Sequence, residues 1–136
     1  MQNVQAFVQE WTDDGLGVKP IFTALYDDIS NREDVRLEFH DRPGISYSLR
    51  AMHKDQNDRP LFAMIDVIDD EPQRRWLSVC FYGDTIKDPA ELGDLIPEGL
   101  LGSDGYCFDI TGPDAELTQY VCRRIHEAYE NAGANP

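Results

Sequence analysis

The stretch VRLEFH, residues 35–40, decides the fold because its apolar and polar side chains alternate one by one. Alternation with a period of two is typical of a strand that buries one side and exposes the other. The same alternation resumes in residues 45–52, after the turn sequence RPG at 42–44. These two stretches therefore predict a hairpin of two half-buried strands.

Two stretches that are apolar throughout follow this hairpin. Residues 61–68 and 76–83 are separated by the polar connection 69–75, and strands that are covered on both faces have this composition. A further alternating stretch lies at 106–111. Because consecutive strands joined by short turns usually pair as neighbours, we expect an antiparallel meander of four to five strands. Residues 84–104 are rich in proline and glycine, and we expect one helical turn over 90–96.

The hydrophobic period changes to about 3.6 residues at both ends of the chain, as in amphipathic helices. Residues 4–11 and the stretch after Pro20 carry this pattern, and Pro113 followed by carboxylates opens a C-terminal helix. The sequence thus predicts one α+β domain whose N-terminal helices and C-terminal helix pack on one face of the sheet. The domain covers residues 1–136, with helices over 1–30, mainly antiparallel sheet over 35–111 and the C-terminal helix over 113–132.

The charge of the chain argues against several classes of partner. Twelve Lys and Arg stand against 26 Asp and Glu, which gives a net charge of −14. Such a surface repels phosphate backbones and anionic lipids, so we expect neither nucleic acid nor membrane as a partner. The sequence also lacks a run of roughly 20 apolar residues that could span a membrane, and its first residues do not resemble a secretory signal.

The three cysteines indicate the compartment. Cys80, Cys107 and Cys122 are odd in number, far apart in the sequence and without CxxC spacing. This pattern favours free thiols in a reducing environment over a disulfide framework. We therefore predict a cytoplasmic protein.

Five short motifs carry a family resemblance: DVRLEF at 34–39, SYSLR at 46–50, RPLFAMI at 59–65, GYCFDI at 105–110 and LTQYVCRRIHEAY at 117–129. Over residues 18–133 the chain resembles small bacterial domains of the YdhG/YjbR-like type. The resemblance implies a leading helix, a four- or five-stranded antiparallel sheet and a closing helix. It implies no activity, because these domains are largely without an assigned one. Some relatives have a basic surface that suggests DNA binding, and this acidic chain does not match it.

Motifs for catalysis and for metal or nucleotide binding are missing from the sequence. His40, His53 and His126 show none of the close spacings of metal ligands. The chain has no GxSxG elbow and no glycine-rich phosphate loop. We therefore predict no catalytic residue, no metal and no cofactor. A hydrolase or transferase that uses Asp66 or Cys80 is an alternative, since an apolar setting could raise the pKa of Asp66.

The segment from Asp84 to Glu116 is strongly acidic, with nine carboxylates and the single base Lys87. Leucine and isoleucine residues are interleaved with the acids. A negative segment that bears leucines can dock a basic or amphipathic partner. The alternative is a solvated loop whose leucines fill the core.

The sheet offers a second candidate surface. If all helices cover one face, the opposite face would expose Phe62, Met64, Leu77 and Val79 or their alternates. Large exposed apolar patches usually mark interfaces, so we expect a homodimer or a ligand groove there. The side chains that we nominate for ligand binding are Tyr47, Arg50, Arg59 and Trp76.

Together these patterns predict a non-catalytic cytosolic binding module for a protein, a peptide or a small ligand. An acidic dimeric secretion-type chaperone is the first alternative, since length, acidity and a sheet with a closing helix fit that class. A small hydrolase or transferase is the second alternative. The identity of the ligand or partner is not encoded in any of these patterns.

Overall fold

The computed structural model describes residues 3–134, which form three helices and six strands. All six strands lie in one antiparallel sheet in the order β1-β2-β3-β4-β6-β5. None of the helices within these residues has the length and apolarity needed to cross a bilayer. The elements in chain order are α1 Val4–Glu10, α2 Lys19–Ser30, β1 Val35–Arg42, β2 Ser46–His53, β3 Ala63–Ile68, β4 Trp76–Tyr82, β5 Asp94–Leu100, β6 Ser103–Ile110 and α3 Ala115–Gly133.

The predicted α+β class with an antiparallel sheet is confirmed, but the sheet has six strands instead of four or five. The helical turn predicted over residues 90–96 is wrong, because none of these residues is helical and the last three, 94–96, belong to β5. A tight turn at Leu101 and Gly102, with φ of 50° and 87°, joins β5 to β6. Pro97 made the segment look irregular, yet an edge strand tolerates proline on its unpaired side.

The strand register assigns each side chain to one of two faces. Leu37 of β1 lies opposite Ala51 of β2, and Ala51 lies opposite Ala63 of β3. Further along the sheet, Val79 of β4 lies opposite Phe108 of β6. These side chains join the apolar residues of α1, α2 and α3 in one core. We call this side of the sheet the core face and the other side the outer face.

Aromatic packing and helix caps position the helices. Phe7 of α1 stacks on Tyr47 with 4.2 Å between ring centroids and meets Phe22 of α2 edge-on at 5.8 Å. At the start of α3, the Asp114 carboxylate accepts the N–H of Leu117 at 3.0 Å, which satisfies one of the free donors of the first turn. The apolar stripe of α3 is then buried in the same core.

A buried ion pair lies beneath α1. The Arg75 Nε donates to Asp69 Oδ1 at 2.6 Å, and Asp69 Oδ2 accepts the N–H of Gly44 at 2.8 Å. The Arg75 guanidinium also lies 5.3 Å from the Phe7 ring and 5.6 Å from the Trp11 ring. One charged pair thus connects the β1–β2 turn, the β3–β4 turn and the first helix.

The expectation of free thiols is wrong for two of the three cysteines. Cys80 of β4 and Cys107 of β6 are direct cross-strand neighbours on the outer face and form a disulfide. Cys122 of α3 is a free, half-buried cysteine. The pair is hidden in the sequence because the whole β5 segment intervenes between two strands that lie side by side.

We expect reduction of the Cys80–Cys107 disulfide to lower the free energy of unfolding by about 3.5 kcal/mol, because the bond closes a loop with a sequence separation of 27 in the unfolded chain. Guanidinium denaturation of the oxidised and the reduced protein measures the difference. The Cys80→Ala/Cys107→Ala variant is the control and should be insensitive to reductant. Equal stability of the oxidised and reduced wild type would contradict the prediction.

Candidate functional site

The four nominated side chains do not converge on one surface. Tyr47 lies on the core face, where it is only 6% exposed. Arg50 of β2 and Trp76 of β4 lie on the outer face, and Arg59 lies in the loop before β3. The separation of Tyr47 from Arg50 follows from their spacing, since positions three apart in a strand point to opposite faces.

Arg59 serves as a clamp between loops. Its guanidinium lies 4.4 Å from the centroid of the Tyr82 ring and forms a two-point ion pair with Asp84, one arm of which measures 2.8 Å. The hydrogen bonds from Arg59 hold the pKa of the Asp84 carboxyl below its ordinary value. Stacking and ion pairing together engage most of the guanidinium, so its main role is to hold the loop against β4.

The outer face is not the continuous apolar patch that the sequence suggested. Leu77 and Val79 point into the core and are fully buried, and Met64, which does lie on the outer face, is 8% exposed. A small apolar cluster that includes the disulfide covers one part of this face. Beside it runs a row of direct cross-strand neighbours, all polar: His40, Ser48, Asp66, Ser78 and Asp109.

Asp66 is the most unusual member of this row. Its Oδ1 atom is buried and has no hydrogen-bond partner among the described residues. Burial raises the pKa of Asp66, against smaller opposing effects of a hydrogen bond from Ser48 and of the nearby charge of Arg50. Cys80, the other residue considered for catalysis, is engaged in the disulfide and offers no thiolate while that bond stands.

We expect the substitution Asp66→Asn to raise the melting temperature at pH 7. Burial raises the pKa of Asp66 because it disfavours the charged carboxylate in the folded state. The stability that the protonated carboxyl contributes is therefore lost as the pH rises through the raised pKa. The amide has nearly the same shape without the charge. Thermal melts followed by circular dichroism at neutral pH and at roughly pH 4 measure the effect, which should shrink in acid.

The control for this substitution is Asp70→Asn, which removes an exposed carboxylate from the β3–β4 turn. It should leave the melting temperature nearly unchanged at both pH values. An Asp66→Asn protein that is less stable than the wild type at neutral pH would show that the carboxylate is held by a favourable contact instead.

One group of possible metal ligands occurs within residues 3–134: Asp34, His53 and Asp55, whose donor atoms lie within 4.8 Å of one another. The Asp34 carboxylate is paired with Lys54 at 2.9 Å. The His53 Nδ1 atom accepts the main-chain N–H of Asp55 at 3.1 Å, so its lone pair is already engaged. The group is therefore organised by hydrogen bonds and an ion pair of its own.

The most prominent exposed feature is the segment 91–104, which comprises β5 and its flanking turns. We call it the β5 surface. Among the described residues, five large apolar side chains are exposed, and four of them lie here. They are Leu92, Leu95, Ile96 and Leu101, with exposed fractions between 44% and 52%. The fifth, Ile45 in the β1–β2 turn, is 57% exposed and lies outside the segment.

Acidic side chains are interleaved with these apolar ones. Glu91, Asp94, Glu98 and Asp104 are all exposed, and the sequence contains no Lys or Arg between residues 88 and 122. The negative charge is dense enough to act on neighbours: burial and the nearby Asp94 carboxylate together raise the pKa of Asp109. The β5 surface thus combines exposed apolar side chains with acidic ones and has no Lys or Arg of its own.

The backbone of the β5 surface is held by side chains. The Asp88 carboxylate accepts the N–H of Leu92 at 3.1 Å and that of Gly93 at 2.8 Å. Gly93 is required there, because a Cβ would come within 2.7 Å of the Phe108 ring. Three of the four non-glycine residues with positive φ in the described chain also lie on this surface: Glu91, Glu98 and Leu101. Such residues cost roughly 1–2 kcal/mol each, so the conformation is maintained against strain.

Comparison of the chain with protein-family models, with curated proteins and with solved structures finds no match. The resemblance to the YdhG/YjbR-like domains therefore stays a prediction from the quoted motifs.

Proposed function

We propose that the protein is a non-catalytic binding module that docks a basic protein segment bearing apolar side chains on the β5 surface. The observation that carries the proposal is that the segment 91–104 exposes four apolar side chains among acidic residues, with Leu95 and Ile96 on opposite faces of β5. Exposed apolar clusters are uncommon on monomeric proteins and mark contact sites. If the leucines of this segment served only to fill the core, they would be buried, yet of the apolar residues 92–101 only Leu100 is.

Charge selects the kind of partner. The chain as a whole carries −14, and the β5 surface has no base of its own between residues 91 and 104. A negative surface attracts basic partners and repels acidic ones, which raises the association rate and improves specificity. The apolar side chains then supply contact area after the charges have brought the partner close.

The partner would contact side chains and would not add a strand to β5. The N–H of Gly83, the residue after β4, donates to the Asp104 carbonyl at 2.9 Å. Because main-chain groups alternate in direction along a strand, those of Gly105 face β5, and those of its partner Ile96 face β6. Leu95 is then the position with an outward N–H, because Pro97 has none. A register shift between Ile96 and Leu100 interrupts the strand as well. This edge is therefore blunted against pairing.

The proposal includes two further features. All three helices lie on the core face, as the joint core supports, so that the β5 surface stays free. The protein resides in the cytoplasm, where the Cys80–Cys107 disulfide would be reduced. Alkylation of thiols at the moment of cell lysis, followed by mass spectrometry, tests this location: two blocked thiols at Cys80 and Cys107 support it and a retained disulfide contradicts it.

We expect the variant Leu92→Ser/Leu95→Ser/Leu101→Ser to bind a synthetic peptide of alternating lysine and leucine at least about tenfold more weakly than the wild type, a change of roughly 1.4 kcal/mol. The substitutions remove apolar contact and leave the charge intact. Fluorescence anisotropy with a labelled peptide measures the affinity. Ile45→Ser is the matched control, since it removes an equally exposed apolar side chain elsewhere, and it should not change the affinity.

A second pair of variants isolates the charge. Asp94→Asn/Glu98→Gln and Asp70→Asn/Glu71→Gln change the net charge equally, and all four positions are exposed. Only the first should weaken peptide binding, and added salt should reduce the difference between them. If the serine variant binds like the wild type, or if both charge variants weaken binding equally, attraction is unspecific and the proposed site is wrong.

A further inference from the structure

The other edge of the sheet, β1, differs from β5 in being long and regular. It is paired with β2 over eight consecutive positions without a register shift. Lys54 donates its N–H to the Asp34 carbonyl at 2.9 Å, one position beyond the first pair. Main-chain groups of the even-numbered residues of β1 therefore face β2. Those of Val35, Leu37 and Phe39 face away from the sheet and could pair with another strand.

Space for another strand exists beside this edge. A groove of about 480 Å³ runs along residues 37–40 and is bounded by Val4 of α1, Tyr26 of α2 and Leu49 of β2. Val35 and Leu37 point toward the core face but are only half-buried, because the helices do not close over the edge. A strand laid against β1 would cover both side chains.

We propose that the occupant of this groove is the β1 strand of a second copy, paired antiparallel about a two-fold axis at Leu37. An axis at this position places Leu37 opposite its own copy and Val35 opposite Phe39 of the second copy. On the outer face it places Arg36 opposite Glu38 of the second copy, twice by symmetry. Apolar side chains thus meet apolar ones, and each arginine meets a carboxylate.

The neighbouring axis positions are less favourable. An axis at Glu38 would oppose the two Glu38 carboxylates directly, and like charges in that position are destabilising. An axis at Phe39 would oppose Arg36 to Arg42 and Leu37 to Asp41. Only main-chain groups of odd-numbered residues face outward, which excludes registers that pair odd with even positions. Among these registers, the charges therefore select the axis at Leu37.

The charged groups are available for such contacts. The side chains of Arg36 and Glu38 are 76% and 48% exposed, and their nearest atoms within the strand are 3.9 Å apart. His40 lies on the other side of Glu38 at 3.1 Å. Exposed pairs of this kind contribute little inside one chain, so their atoms can turn toward the second copy at small cost.

Charge reversal tests the register. Arg36→Glu should raise the dimer dissociation constant by at least about tenfold, because it opposes two carboxylates at both symmetric contacts. Glu38→Arg should do the same by opposing two arginines. The double variant Arg36→Glu/Glu38→Arg restores opposite charges and should return the constant to near the wild-type value. Sedimentation equilibrium at concentrations up to roughly 100 µM measures the constants, and circular dichroism confirms that each variant is folded.

Cross-linking tests the axis independently of charge. In a Cys122→Ser background, Leu37→Cys should form an intermolecular disulfide under mild oxidation, because directly opposed residues have Cα atoms roughly 5.5 Å apart. Val35→Cys is the matched control and should not form an intermolecular disulfide. The two Val35 positions would be four residues apart along the paired strands, a distance of roughly 14 Å.

A wild-type protein that stays monomeric at all these concentrations overturns the proposal. A dimer that tolerates both single reversals, or that cross-links in the Val35→Cys variant and not in the Leu37→Cys variant, overturns the proposed register. The β5 surface lies at the opposite edge of the sheet, so peptide binding there can fail or succeed without affecting any of these outcomes.

Discussion

The Asp69–Arg75 ion pair and the hydrogen bonds of Asp69 hold together two turns at one end of the sheet. Asp69 accepts the N–H of Gly44 and donates its own N–H to the Ile45 carbonyl, so the β3–β4 turn and the β1–β2 turn are joined at one point. The next pair in the ladder is Ser46 with Ile68. A slip of one residue beyond this point would exchange the two faces of β2. It would also break both of these hydrogen bonds between Asp69 and the β1–β2 turn.

The fold could be predicted where the sequence pattern is local. The alternation in VRLEFH and the helical spacing of residues 4–11 indicate their structures because each depends on side chains within a few positions. The six-stranded sheet could not be fully predicted, since β5 is an edge strand whose Pro97 and turns are typical of loops. The disulfide was missed for a related reason, because β4 and β6 are neighbours in the sheet although β5 lies between them in the sequence.

The candidate site was predicted in part. The acidic, leucine-bearing character of the segment after Asp84 is visible in the sequence, but exposure of its leucines depends on how β5 lies at the edge. For the nominated residues, the period of two is enough to place Tyr47 and Arg50 on opposite faces of β2. The stacking of Arg59 on Tyr82 could not be predicted, because it depends on a contact between a loop and a distant strand. Side-chain type shows what a residue can bind, and only the assembled sheet shows which partner it meets.

The contrast between the two faces extends to the tryptophans. Trp11 is fully buried under α1, with its indole N–H donated to the Asp13 carbonyl at 2.9 Å, and Trp76 is half-buried on the outer face. Their fluorescence therefore has two separate origins. Quenching by a small solute such as acrylamide reaches Trp76 first, and emission from Trp11 changes only when α1 leaves the sheet. A single spectrum can thus distinguish an event on the outer face from opening of the core.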